Sequence, residues 1–222
     1  MDITLHYTEQ GEGEAMVLLH GNGEDGSHFA RQIPVLAKRF RTIALDTRGH
    51  GKSPRGTAPF TLSQFARDLR DFMDEQGIES AHLFGFSDGA NIALLFALAH
   101  PERVRSLVLN GGNLYPEGLA EEVRRGIAAE YEHALAVGDG REIELLRLMI
   151  DEPHIEPADL AVLTMPTLVV AGTDDMIAEE HTRLIARSIP GATLRFVEGS
   201  HFVTTENPEA FNRVLAEFYG IE

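Results

Sequence analysis

Cysteine is absent from the 222 residues, which excludes disulfides, thiolate metal sites and a cysteine nucleophile. Long apolar runs are also absent. The longest, Ile92 to Ala99, is far too short to cross a bilayer. Basic residues are scarce, 19 against 35 acidic ones, and the net charge of −16 argues against nucleic acid and anionic membranes as partners. The opening "MDITLHY" lacks a basic segment followed by an apolar one, so no secretion signal is read and a cytoplasmic location is expected. The ten histidines include no H-E-x-x-H string and no clustered ligand spacing, so no metal is expected. Internal repeats and low-complexity linkers are missing too.

What remains fits one globular domain, with 43% hydrophobic and 24% charged residues. Seven short apolar runs punctuate the chain: "ITLHY", "AMVLLH", "RTIALD", "AHLFGF", "VRSLVLN", "PTLVVAG" and "ATLRFVEG". Helical patterns alternate with them, the mark of a mostly parallel sheet covered on both faces. Leu62, Phe65, Leu69, Phe72 and Met73 share one face of a helix that begins near Thr61, with Gln64 completing a capping box and Gly77 as the stop. A last helix starts at Asn207-Pro208, read as a cap followed by proline at the first position, and buries Phe211, Val214, Leu215 and Phe218.

One stretch breaks the alternation. Residues 113–164 hold helical pattern without a strand-like run, and 113–163 carry twelve acids against four arginines, a local charge of −8. The expected division is a core of residues 1–112 and 165–222 with a helical lid of residues 113–164.

Two glycine patterns compete for the chemistry. Gly21, Gly23 and Gly26 spell G-x-G-x-x-G after an apolar run, and Asp46 stands twenty residues further on. That is the layout of a dinucleotide fingerprint with its ribose acid. Gly85-Phe86-Ser87-Asp88-Gly89 spells G-x-S-x-G between a strand-like run and a small-residue helix pattern. A strand turning sharply into a helix forces its turn residue into a strained conformation with the side chain in the open, and needs glycines where the elements nearly touch. A serine there is a candidate nucleophile, with the helix N-terminus favouring negative charge beside it. Such a nucleophile needs a base, and the base an orienting acid. "AGTDDMI" ends one strand with Asp174 and Asp175, and "EGSHF" ends the last with His201. A third pattern, Gly51-Lys52-Ser53, ends like a P-loop, but Asp46 stands where that motif needs glycine.

"HGNG", "DTRGHGKS", "GFSDGA", "GTDDMI" and "GSHF", in this order, resemble the α/β-hydrolase family of esterase- and lipase-like serine hydrolases over nearly the whole chain. The resemblance implies a doubly wound, mostly parallel α/β sheet with Ser87 as nucleophile and His201 as base. It favours Asp175 over Asp174 as the acid, since the family places the acid three residues after the glycine closing its strand. It also implies an oxyanion hole from the backbone N–H groups of Asn22 and Asp88. The glycine-rich loop then serves the serine rather than a pyrophosphate, and Asp46 opens a structural turn. His20, His50 and Arg48 fall in turns where structural roles are expected. Phe86 is expected in the core. Leu114, Tyr115, Met149 and Ile150 either line a pocket or pack the underside of the lid.

The implied function is cleavage of small to medium carboxylic esters through an acyl-enzyme, with a small-molecule ester as partner and no organic cofactor. Lactone opening, carbon–carbon bond hydrolysis, cofactor-free perhydrolysis and a slow hydrolase-like binding protein stay open. The acidic lid and the Asp88 carboxylate beside Ser87 raise one further expectation, a preference for esters with a positive group near the carbonyl. The competing reading makes Asp88 a helix-start residue. Oligomeric state is not legible.

Overall fold

In the computed structural model, which describes residues 1–221, seven strands form one sheet. They are β1 (Tyr7–Gln10), β2 (Glu14–Leu19), β3 (Phe40–Leu45), β4 (Ala81–Phe86), β5 (Val104–Asn110), β6 (Thr167–Asp174) and β7 (Thr193–Ser200). Their spatial order is β1-β3-β2-β4-β5-β6-β7, with β1 antiparallel to β3 and every other pairing parallel. The helices are α1 (Ile33–Leu36), α2 (Leu62–Glu75), α3 (Asp88–Ala99), α4 (Glu121–Val137), α5 (Gly140–Asp151), α6 (Glu179–Ser188), α7 (Val203–Glu206) and α8 (Pro208–Tyr219). None of the described helices is long and apolar enough to cross a membrane.

The apolar runs are continuous because both sheet faces are covered. In β2, Val17 and Leu19 belong to the apolar cluster that holds the inner residues of α2 and α3, while Met16 and Leu18 belong to the cluster that holds those of α1 and α8. All four are fully buried.

Three local expectations need correction. The first strand begins only at Tyr7, the last residue of "ITLHY", and runs on to Gln10. The His6 N–H donates to Ser53 Oγ and the His6 carbonyl accepts from Asp46, so the backbone there serves the turn after β3 rather than a ladder. The capping box at α2 forms by half. Thr61 Oγ1 accepts from the Gln64 N–H at 3.1 Å, but the Gln64 side chain turns to Asp68 and Arg67. At α8, the Asn207 amide donates to the Glu198 carbonyl instead of capping the helix, leaving Pro208 as its start signal.

Between β5 and β6 the helical pattern resolves into α4 and α5. Gly138 ends α4 in the left-handed conformation, and Asp139 caps α5 by accepting from the Glu142 N–H. Ile127, Ala134 and Leu146 from this pair bury against Leu119 and Ile177. A bridge between Leu119 and Ile177 ties the start of the insertion to the loop after β6.

Candidate active site

The carboxyl ends of β2, β4, β6 and β7 meet above the sheet, and each delivers one of the residues singled out above. After β4, Ser87 sits at φ 52°, ψ −121°, the only non-glycine residue at positive φ among the described residues. The turn is possible because of its neighbours. A Cβ on Gly89 would lie 1.9 Å from the Leu19 carbonyl oxygen, and one on Gly85 would lie 2.2 Å from that of Gly89. The Ser87 N–H donates to the Asn110 carbonyl at 2.8 Å, which anchors the turn to β5.

His201 follows β7 and is buried, with its Nε2 3.0 Å from Ser87 Oγ. Its Nδ1 lies 2.6 Å from Asp175 Oδ1. With the carboxylate accepting from Nδ1–H, Nε2 is left to accept the serine proton. Asp175 is fixed in turn by the Ile177 N–H at 3.0 Å and the Gly172 N–H at 3.3 Å. Asp174 is exposed and lies in register with Ser200 in the β6–β7 ladder, away from the imidazole. Gly111 leaves room for the ring, since a Cβ there would stand 2.7 Å from His201 Cε1.

The loop after β2 closes the other side. His20 Nδ1–H donates to the Gly21 carbonyl at 2.7 Å and its Nε2 accepts from the Thr47 N–H at 3.0 Å. Burial pushes the His20 imidazole below its ordinary value and that of His50 down to about 4, so both rings act as neutral struts. Asp46 accepts from the Gly26 and Lys52 N–H groups, at 2.8 Å and 2.9 Å, and pins two turns. Arg48 is fully buried, forked onto Asp68 and reaching Asp2 and the Arg55 carbonyl. Among the described residues the backbone N–H groups of Asn22 and Asp88 have no partner in the protein. Asp88 is the first residue of α3, where no intrahelical acceptor exists.

Several contributors were not legible in the sequence reading. Glu24 accepts from the Gly21 N–H and contacts His28 Nδ1 at 2.9 Å. His28 meets Thr204 Oγ1 through its other nitrogen and stacks on Phe86 at 4.2 Å. The i,i+4 spacing of Glu24 and His28 was the one available signal. Phe86 belongs to the core and also faces the site, 4.8 Å from the His201 ring. Glu152, from the lid, accepts from the Leu62 N–H at 2.8 Å and so caps α2.

Above Ser87 and His201 opens a cavity of about 330 Å³, lined by the Gly21–Glu24 loop, Phe86, Phe202 and Met176 and, from the lid, Glu130, Glu142, Leu145, Leu146 and Met149. Of the four lid residues named as pocket candidates, Met149 lines it. Leu114 lies in the main core, Tyr115 packs against that core and Ile150 packs within the lid cluster.

Comparison with known proteins fits this geometry. A family model described as the alpha/beta hydrolase fold matches residues 14–134. The putative carbamate hydrolase RutD of Caulobacter sp. strain K31 is 32% identical, covering 96% of this chain and 93% of its own. A 2-hydroxy-6-oxononadienedioate/2-hydroxy-6-oxononatrienedioate hydrolase of Cupriavidus pinatubonensis is 29% identical, covering 99% and 91%. The crystal structure of the enol-lactonase from Burkholderia xenovorans LB400 superposes with a TM-score of 0.80 at 25% identity, covering 98% of this chain and 97% of that one. The chain belongs to the α/β-hydrolase family and is a hydrolase of that fold.

Proposed function

We propose that the protein cleaves small to medium carboxylic esters by way of an acyl-enzyme on Ser87. The observation that carries this reading is the hydrogen-bonded line from Asp175 through His201 to Ser87 Oγ, ending at a cavity beside two unpaired N–H groups. Ser87 Oγ attacks the carbonyl carbon while His201 Nε2 takes its proton. The negative charge that develops on the carbonyl oxygen falls to the N–H groups of Asn22 and Asp88. The imidazolium, steadied by Asp175, then protonates the departing alkoxide. A water molecule repeats the sequence on the acyl-enzyme and releases the acid, so the enzyme returns unchanged. Every proton is carried by His201.

The volume of about 330 Å³ lies at the small end of ligand pockets and matches short and medium acyl chains. The test is a series of p-nitrophenyl esters of graded acyl length. The highest kcat/KM is expected near four carbons, and a higher value at sixteen carbons contradicts the assignment.

Relatives named as dienedioate hydrolases and a lactonase favour a second reading, the same three residues acting on a carbon–carbon bond or a lactone. The cavity lining holds no lysine or arginine, which weighs against a dioate substrate. Lactones and a carbon–carbon cleavage substrate offered beside butyrate esters separate the readings.

A further inference from the structure

Among the described residues lining the cavity above Ser87, Asp88 is missing, so its carboxylate keeps the helix-start role and the expected preference for cationic esters finds no subsite there. Glu24 does line it. The loop from Gly21 to Glu24 is closed on itself twice. The Glu24 N–H donates to the Gly21 carbonyl at 3.3 Å, and Glu24 Oε2 accepts from the Gly21 N–H at 3.1 Å. Between the two ends stands Asn22, whose backbone N–H is the proposed oxyanion donor.

The other oxygen of Glu24 leads to His28. Asp25 caps the short helical turn Gly26–Arg31 by accepting from the Ser27 N–H at 2.8 Å. That turn aims the His28 side chain inward, where it is 2% exposed. Its Nδ1 lies 2.9 Å from Glu24 Oε1, and its Nε2 lies 2.9 Å from Thr204 Oγ1. With Nδ1–H donating to the carboxylate, Nε2 accepts from the Thr204 hydroxyl, so one tautomer satisfies both sides. Thr204 is fully buried three residues beyond His201, and its carbonyl accepts from the Gln32 amide at 2.8 Å. The His28 ring also stacks at 4.2 Å on Phe86, the residue before Ser87.

A buried histidine with both nitrogens bonded has an ordinary explanation as a satisfied core residue. The placement of its partners goes further. They lie on three separate segments, and these carry the Asn22 N–H, Ser87 and His201. Such groups must keep their mutual geometry to within about half an ångström. The relay also governs the Glu24 charge. A carboxylate free to turn in the cavity would oppose an oxyanion, and N–H donors on both of its oxygens hold it to the wall.

We propose that His28 is a positioning residue for ester cleavage. Through Glu24 and Thr204 it fixes the oxyanion loop against the segment that carries His201, while its ring backs the strand end that presents Ser87. This inference rests on the reading of Ser87 as an ester-cleaving nucleophile with the Asn22 N–H as oxyanion donor.

The test is steady-state kinetics on p-nitrophenyl butyrate with three variants. His28→Phe keeps the stacked ring and removes both hydrogen bonds. Thr204→Val removes one hydroxyl at nearly constant shape. His28→Gln has an amide that can donate to Glu24 and accept from Thr204. Removing a whole oxyanion donor costs about 10²–10³ in kcat, so a displaced donor should cost roughly 10- to 30-fold in His28→Phe. Thr204→Val, short of one hydrogen bond, should lose about fivefold. KM should stay within about twofold in both, since the donor acts on charge formed only in the transition state. His28→Gln should return kcat to within about threefold of wild type. In the His28→Phe background Thr204→Val should add nothing, because its partner is already gone.

If kcat stays within about twofold of wild type in both His28→Phe and Thr204→Val, the relay is overturned and the esterase reading stands. The relay is equally overturned if His28→Gln is as slow as His28→Phe, or if KM rises in step with the fall in kcat, because packing alone would then explain the histidine. Should His28→Phe not fold, Thr204→Val decides by itself. A wild type that leaves p-nitrophenyl butyrate uncleaved overturns the ester reading and the relay with it.

Discussion

The side-chain amide of Asn22 donates to the Leu145 carbonyl at 2.8 Å, which ties the loop after β2 to lid helix α5. The same helix is held by Arg55, which forks onto Glu144, and by Arg141, which donates to the Gly49 carbonyl. The loop proposed to supply an oxyanion donor is thus positioned by the lid as well as by the sheet.

Asn22→Ala keeps the backbone N–H and removes the tie. A net hydrogen bond of about 1 kcal/mol corresponds to roughly a fivefold fall in kcat/KM. Steady-state kinetics on p-nitrophenyl butyrate reads it. An unchanged value would mean that the loop keeps its shape unaided.

Ser87→Ala is expected to lower kcat on the order of 10⁶-fold, and a phosphonate should label Ser87 but neither Ser53 nor Ser200. The left-handed turn adds a stability test. Its strain costs about 1–3 kcal/mol for a residue with a Cβ. Ser87→Gly should therefore unfold at higher denaturant than Ser87→Ala. The reverse order would show that the turn is not strained.

Asp175→Asn removes the acceptor that keeps His201 Nε2 free for the serine proton. Loss of about 10⁴ in kcat is expected, while Asp174→Asn changes little. The opposite outcome would mean that the imidazole takes its orientation from Asp174 in solution.

The Asp88 carboxyl, ordinarily at 3.8 and raised by burial to about 6, makes stability depend on pH. The folded protein holds this proton where the unfolded chain has lost it, so the stabilisation is full below about pH 4 and gone above about pH 6. Glu152, also raised by burial, acts in the same direction. Asp88→Asn is expected to stabilise the protein by about 1–3 kcal/mol at pH 7.5, with the gain vanishing near pH 4. Denaturant unfolding at pH 4, 5.5 and 7.5 reads the difference. A gain independent of pH would contradict it.

Much of this protein was legible in local chemistry. The strands declared themselves because a sheet covered on both faces needs unbroken apolar runs such as Met16–Leu19. The turn at Ser87 was visible because close approach of β4 and α3 tolerates only glycine at Gly85 and Gly89. The parallel order of the sheet then brings strand ends far apart in the chain to one edge. Packing alone decided the rest. Which of two adjacent carboxylates reaches His201 depends on the path of the chain after β6, because neighbouring side chains there point in different directions. Glu24, His28 and Glu152 carry no motif, and they matter because the fold sets them against the Gly21 loop, Phe86 and the start of α2. The same holds for Asp88. Its place after the serine was evident from the string G-x-S-x-G, but its burial exists only once the tertiary structure closes around it.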